Sequence, residues 1–252
     1  MSGDEQSQRS SGPTPGSTLP APSSRPAGGA SLEQQLARLA LELHPQESAQ
    51  EVMERIVAAA AALVPGAQDA TITRVRGKHV RSAAATDDRG RGLDELQDQT
   101  GQGPCLTTLF EQEVTRVGDL TTDPRWPALA DRVGEVDLRS MLCLRLYVAG
   151  ENLGALNLIS SAPEAFDEES EEIGQLFIAH AAVALAATEQ VQNLRIAVAS
   201  RDVIGQAKGI LMERFKITAD QAFALLNRVS QDTNRKLRDV AEELASTGHL
   251  QR

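Results

Sequence analysis

Large rings are almost missing from this sequence: five Phe, one Trp and one Tyr in 252 residues. Alanine and aliphatic side chains must therefore fill its interior. Cysteine is as scarce. Cys105 and Cys143 make no disulfide framework, and a disulfide is not expected in a reducing compartment. His44, His79, His180 and His249 show no metal-ligand spacing with one another or with the cysteines, so no metal is expected. No Ser-His-Asp or Cys-His order resembles a catalytic family, and no enzyme is expected. No uncharged apolar run is long enough to span a bilayer, and the acidic-polar start lacks the basic and apolar regions of a signal peptide. A cytoplasmic protein that does not engage a membrane is expected.

What is present divides the chain by composition and period. Residues 1–30 are rich in Ser, Gly and Pro and cannot bury a core, so they are expected to be a disordered tail. Ser31 and Gln34 then make a capping box before a stripe of Leu32, Leu36, Leu39 and Leu43. Pro45 breaks that helix. Ser48 and Glu51 repeat the cap, and Val52, Ile56, Ala59 and Leu63 carry a second helix to Pro65-Gly66.

From Asp69 the period changes to two. Residues 71–75 read as a strand, Gly77 as a turn and 79–86 as its hairpin partner. A short strand is expected at 114–117 and a second hairpin at 140–148 and 153–160, with Ala149 to Asn152 as its turn. Helical pieces are expected at 93–100, 104–111 and 127–136. This order gives an α+β fold, an antiparallel sheet flanked by helices.

Asp167 caps the next helix, and Glu168, Glu169, Glu171 and Glu172 suit the positive end of its dipole. It has no evident stop. Phe177, His180, Ala184, Ala187, Val191, Leu194, Val198 and Arg201 alternate spacings of three and four, which is a heptad seam. The first half of that seam also fits a helix lying on the sheet.

The last stretch reads as three short amphipathic helices. Ile204, Ala207, Leu211 and Phe215 form the core face of the first. Arg201, Gly205 and Lys208 share another stripe, where the glycine serves either a polyanion's approach or close helix packing. Thr218 and Gln221 cap the second helix, with Ala222, Phe223, Leu226 and Val229 on its apolar side. Asn234 is expected to cap the third, which buries Leu237, Val240, Ala241 and Leu244 and ends at Gly248. From Arg195 onward ten basic and seven acidic residues give +3, against −10 for the whole chain and so −13 for the remainder. A basic bundle on an acidic protein fits a nucleic-acid footprint confined to one part. Phe215 and Phe223, its two aromatic residues, both read as core, which leaves no stacking platform.

The run Arg201-Asp202-Val203-Ile204-Gly205-Gln206-Ala207-Lys208-Gly209-Ile210-Leu211-Met212, with Arg228-Val229-Ser230 and residues 233–241 after it, resembles the ANTAR domain. Residues 46–188 resemble a GAF domain, through Gly101 to Leu106, Asp119-Leu120, Asp123 to Pro127, Arg139-Ser140, Gly154 to Leu158 and Ala165-Phe166-Asp167. The first resemblance implies RNA binding and transcription antitermination on paired hairpins, without catalysis. The second implies a sensory and dimerisation unit with a small-molecule ligand, whose identity it does not give. The cyclic-nucleotide motif of some GAF domains is not recognisable.

Four parts are thereby expected: the tail 1–30, a sensor domain 31–188, a coiled-coil linker 189–200 and an RNA-binding domain 201–252. The residues expected to contact RNA are Arg201, Lys208, Arg214, Arg228, Thr233, Asn234, Arg235, Lys236 and Arg238. Cys105, Trp126, Ser140 and Leu142 are the expected sensor-pocket residues. Cys105, behind Gly103-Pro104 near a helix start, is either a low-pKa redox thiol or a small core residue. A homodimer is expected through the seam and the Leu32–Leu43 stripe. The alternative is a ligand- or redox-sensing signalling protein whose bundle binds DNA or another protein.

Overall fold

The computed structural model describes residues 48–77 and 79–249. The expected tail and the helix from Ser31 lie outside the described residues. Helix α1 (Ala49–Leu63) starts on the capping box read from Ser48 and Glu51. Strands β1 (Asp69–Arg76) and β2 (His79–Ala85) follow, then α2 (Asp88–Thr100), α3 (Pro104–Phe110) and β3 (Val114–Val117). A single helical turn α4 (Pro127–Ala130) and a 3-10 turn at Val133–Glu135 precede β4 (Ser140–Val148) and β5 (Glu151–Ser160). The β4–β5 turn is tighter than the expected four residues. Ala149 and Gly150 alone make it, with φ of 51° and 92°, the left-handed pair that a two-residue hairpin needs.

The five strands form one antiparallel sheet in the order β2-β1-β5-β4-β3. Both faces are covered. On one face Ile72, Leu142, Leu144, Leu146, Leu156 and Leu158 pack against Ile56 and Val57 of α1 and Phe177, Ala181 and Leu185 of the long helix. On the other Met141, Cys143, Ala155 and Ile159 meet Leu93 and Leu96 of α2, Cys105 and Leu109 of α3, and Trp126 and Leu129.

Helix α5 (Glu168–Phe215) is 48 residues long without a break, capped by Asp167. At 1.5 Å per residue it spans about 72 Å. Its first part is a wall of the sheet domain. Its last part is the first helix of a bundle with α6 (Ala219–Asp232) and α7 (Leu237–Thr247), closed around Ala207, Leu211, Ala222, Leu226, Val240, Ala241 and Leu244. Thr218 and Gln221 cap α6 as expected. The cap of α7 is Lys236 and not Asn234, which takes a left-handed conformation (φ 50°) inside the connecting loop.

The exposed seam on α5 is also offset from the expected one. Phe177 and Ala184 are buried against the sheet, whereas Leu176, Val183, Val191, Leu194 and Val198 face outward. With the exposed His180 and Ala187 between them, these keep the three-four spacing one residue earlier in the first half.

Candidate functional site

The first candidate region lies inside the sheet domain. Thr71 and Thr73 of β1 and Asn157 of β5 point to the α2–α3 face, where strand alternation places them beside Asp94 and Gln97 of α2. All five side chains are at most 1 % exposed. Asn157 Nδ2 approaches Thr71 Oγ1 (3.0 Å), Thr73 Oγ1 (3.2 Å) and Asp94 Oδ1 (3.3 Å), three acceptors for two hydrogens. Thr73 Oγ1 lies 2.7 Å from Cys105 Sγ, and the Cys105 N–H donates to Gln97 Oε1 at 2.9 Å.

The network is incomplete. Asp94 Oδ2, Gln97 Nε2 and Asn157 Oδ1 are buried without a hydrogen-bond partner. A buried polar atom left so costs about 1–3 kcal/mol. Burial pushes the Asp94 carboxyl up to about 7, against the weaker opposing influence of the polar groups around it, Thr71 first. Burial, then the nearby Asp94, push the Cys105 thiol up to about 12. Of the two readings of Cys105, this favours the small core residue, because a thiol so seldom ionised is a poor nucleophile.

The expected pocket residues do not all meet. Cys105 touches the network, and Trp126 lies in the same layer with the Arg125 guanidinium 4.3 Å from its ring centre. Leu142 packs in the opposite layer, and Ser140 shares its parity on β4 and donates to the Ala162 carbonyl at 2.7 Å. The alternation that sends Met141 and Cys143 to the network face sends these two away. Thr71, Thr73, Asp94, Gln97 and Asn157 were not expected. For Thr71, Thr73 and Asn157 the one signal in the sequence is a polar residue at an inward strand position, and for Asp94 and Gln97, on the polar helix α2, there is none.

This interior is joined to the long helix. Arg74, next to Thr73, points the other way and forms an ion pair with Glu189 of α5. The β1–β2 register shifts between Ile72 and Thr73. Gly154 allows the close approach there: a Cβ on it would lie 2.3 Å from the Thr73 carbonyl oxygen, and its φ is 137°.

The second candidate region is the bundle. Contrary to the core expectation, Phe215 is 56 % and Phe223 39 % exposed. The core stripe of α5 ends at Leu211, and Phe215, in its last residue position, lies past the buried crossing. Phe223 has the Lys208 ammonium 5.9 Å from its ring centre. A Cβ on Gly205 or Gly209 would meet nothing within 4 Å, so packing inside the bundle does not account for either glycine.

Of the nine expected RNA contacts, Lys208 is half-buried beside the Phe223 ring and the other eight fall into three groups. Arg201, Arg228 and Lys236 are exposed, with no side-chain hydrogen bond or ion pair among the described residues. Arg214 donates to the Gly248 carbonyl, Thr233 to the Val229 carbonyl, and Arg235 pairs with Glu243 at 2.6 Å. Arg238 is half-buried with its Nε unpartnered, and Asn234 is exposed in the loop before α7. A groove of about 710 Å³ brings together Arg214, Arg228 and Thr233. Among the described residues no three His, Cys, Asp or Glu side chains are placed to hold a metal ion, and no helix is long and apolar enough to cross a membrane.

A buried, incompletely satisfied polar network under a sheet, joined by one unbroken helix to a separate bundle, is the arrangement of a sensor-regulated effector. The chain belongs to the GAF domain family: the family profile matches residues 46–186, more than half of the sequence, and the ANTAR domain profile matches residues 192–244 directly after it. Solved structures share the sensor fold. The GAF domain of a phosphoenolpyruvate-protein phosphotransferase from Coxiella burnetii is 18% identical over 63% of this chain and 95% of its own, with a TM-score of 0.50. The phycocyanobilin-bound GAF domain of a cyanobacterial phytochrome is 16% identical over 65% and 98%, TM-score 0.51. The photosensory core module of the Stigmatella aurantiaca phytochrome is 12% identical over 79% of this chain and 44% of its own, TM-score 0.55. Identities this low speak to fold alone. Among curated proteins none matches this chain.

Proposed function

We propose that this protein is a cytoplasmic, non-catalytic, RNA-binding antitermination regulator that works as a homodimer. In this reading residues 31–188 sense a small molecule, residues 189–200 form a two-stranded linker and residues 201–252 bind RNA hairpins. One observation carries it. The same unbroken helix supplies Phe177 and Leu185 to the sensor core and Ala207 and Leu211 to the bundle core. A change in the sensor therefore reaches the bundle as a rigid displacement. The ANTAR match directs the output to RNA, and the exposed cations Arg201, Arg228 and Lys236 supply phosphate contacts. The unpartnered atoms of Asp94, Gln97 and Asn157 supply unused hydrogen-bonding capacity for a ligand.

The deciding experiment is a gel shift with folded hairpin RNA, the same loop as a single strand, and duplex DNA. Hairpin RNA alone should shift. Binding of duplex DNA, or of none of the three, would transfer the bundle to a different partner class. Lys208→Ala and Arg228→Ala should each weaken hairpin binding by about 1–3 kcal/mol and make the salt dependence shallower by about one unit per lost phosphate contact. Circular dichroism should be unchanged, since neither side chain is in the bundle core. Arg235→Ala is a poorer probe, because it also strands the carboxylate of Glu243.

The outward stripe of Leu176, Val183, Val191, Leu194 and Val198 is the expected dimer contact. Leu194, 60 % exposed in the single chain, should tolerate aspartate in the monomer. In a dimer that charge would lie at an apolar contact. Leu194→Asp should therefore convert a dimer into a monomer by light scattering. A wild type that is already monomeric, with and without RNA, would remove the dimer from this reading.

A further inference from the structure

The groove in the bundle has a composition that packing does not require. Its floor includes Leu211 and Leu244, both buried in the bundle core. Its wall is Phe215, 56 % exposed, in a chain with only seven aromatic residues. Arg214 of α5 and Arg228 of α6 line the same groove. Asp232 and Thr233 add polar groups at the end of α6. The Thr233 hydroxyl already donates to Val229, so its oxygen remains an acceptor. Arg214 is held by the Gly248 carbonyl, whereas Arg228 has no partner among the described residues.

The occupant that fits is flat and apolar on its faces, carries N–H donors on its edge and hangs from an anionic backbone. An unpaired nucleobase has all three properties. Its face would lie on Phe215, its edge would meet Asp232 and Thr233, and its phosphate would meet Arg228. The groove volume, about 710 Å³, lies in the range of pockets that enclose small ring systems, about 300–1,000 Å³. An apolar peptide would leave Arg228 and Asp232 without a use.

We propose that this groove takes one unstacked base from the loop of the bound hairpin. The proposal rests on the RNA-binding reading above and adds a base-reading pocket to what would otherwise be phosphate contacts alone.

The test uses the full chain and hairpin RNAs carrying a single abasic nucleotide at each loop position in turn. One position should lower affinity for the wild type by about 5- to 150-fold, the size of one base–aromatic stack. In Phe215→Ala the penalty of the same abasic RNA should shrink to what the edge contacts with Asp232 and Thr233 supply, because the stack is lost in both changes. Phe215→Tyr should restore the penalty. A 2-aminopurine at that position should lose fluorescence on binding the wild type and not on binding Phe215→Ala. The exposure of Phe215 leaves the bundle core intact in these variants, and circular dichroism checks this.

If hairpins bind but every abasic penalty is equal in wild type and Phe215→Ala, the pocket is wrong and the RNA reading stands. If no hairpin binds, both fall. The competing occupant is the chain's own end, residues 250–252, which follow His249 at the rim. Equal losses of thermal stability in Phe215→Ala and in a truncation after His249, with no abasic coupling, would assign the groove to that end and overturn the proposal.

Discussion

Asp94→Asn should make the protein more stable than wild type at pH 8, by up to about 4 kcal/mol, and should flatten its stability between about pH 5 and pH 8. The sign follows from which state holds the proton. The ordinary aspartate value of 3.8 applies to the unfolded chain, and burial raises the folded value to about 7. Between those two values the folded protein keeps a proton that the unfolded chain has released. The stability this group contributes is thus full below about pH 4, declines as pH rises and is lost above about pH 7. Asparagine has no charge to desolvate and keeps the shape.

Other carboxylates act elsewhere on the pH scale. Asp119 is held well below its usual range, first by its hydrogen bonds with Arg139, and Asp123 is lowered mainly by Arg125. Both therefore contribute stability that is lost only in acid, below the window in which Asp94 titrates. Asp69 is raised by burial in the same sense as Asp94, so the comparison with Asp94→Asn, and not the wild-type curve alone, isolates the effect. Urea unfolding at about pH 6 and about pH 8 measures it. Parallel pH curves for the two proteins would show that Asp94 is ionised in the folded state without cost, and would remove it from the sensor interior as an uncompensated group.

What the sequence made legible was local. The capping boxes at Ser48 and Thr218, the cap at Asp167, the strands and the long uninterrupted helix depend on neighbours within a few positions, and they lie where the period and the caps put them. The failures are tertiary. Both faces of β4 are apolar because both faces of the sheet are covered, so nothing in Met141-Leu142-Cys143-Leu144 says which parity meets the network. Phe215 follows the helical stripe of Ile204, Ala207 and Leu211, but periodicity gives a direction and not the point at which the neighbouring helix ends. Phe177 and Leu176 are adjacent and both apolar, so a seam can be drawn through either, and only the sheet decides which one is covered. Asn234 has the side chain of a cap but also tolerates the left-handed conformation, and the loop uses the second property.

The network of Asp94, Gln97 and Asn157 is the least legible part of the sequence. Its members are separated by up to 63 positions and sit in a helix and a strand whose other buried residues are ordinary core. Only the fold places them together, and only the count of donors and acceptors shows three atoms without a partner. The cluster also adjoins a contact with the long helix. Thr73, which accepts from Asn157, is followed by Arg74, which grips Glu189 of α5, so a group that completes the network acts one residue away from a handle on the long helix.

That handle matters only if α5 stays rigid between the two cores, and Ala199→Pro should show it. Residues 191–199 are all exposed and belong to neither core among the described residues, so neither core spans a break there. Proline at 199 removes the hydrogen bond to the carbonyl four residues earlier and clashes with it, at a cost of about 3 kcal/mol or more. The sensor core around Phe177 and Leu185 and the bundle core around Ala207 and Leu211 lie on either side of the break, and each should keep its fold. Affinity for one isolated hairpin should then be close to that of wild type. If the protein acts as the proposed dimer, affinity for an RNA with two hairpins should fall, by as much as about 10²–10⁴-fold where the kink keeps the two bundles from engaging both hairpins at once. Ala199→Gly, at about 1 kcal/mol, weakens the helix without breaking it and should lie between the two. Titrations with one-hairpin and two-hairpin RNAs separate the cases. Equal binding of the two-hairpin RNA by wild type and Ala199→Pro would mean that the bundles act alone and that the long helix carries no signal to them.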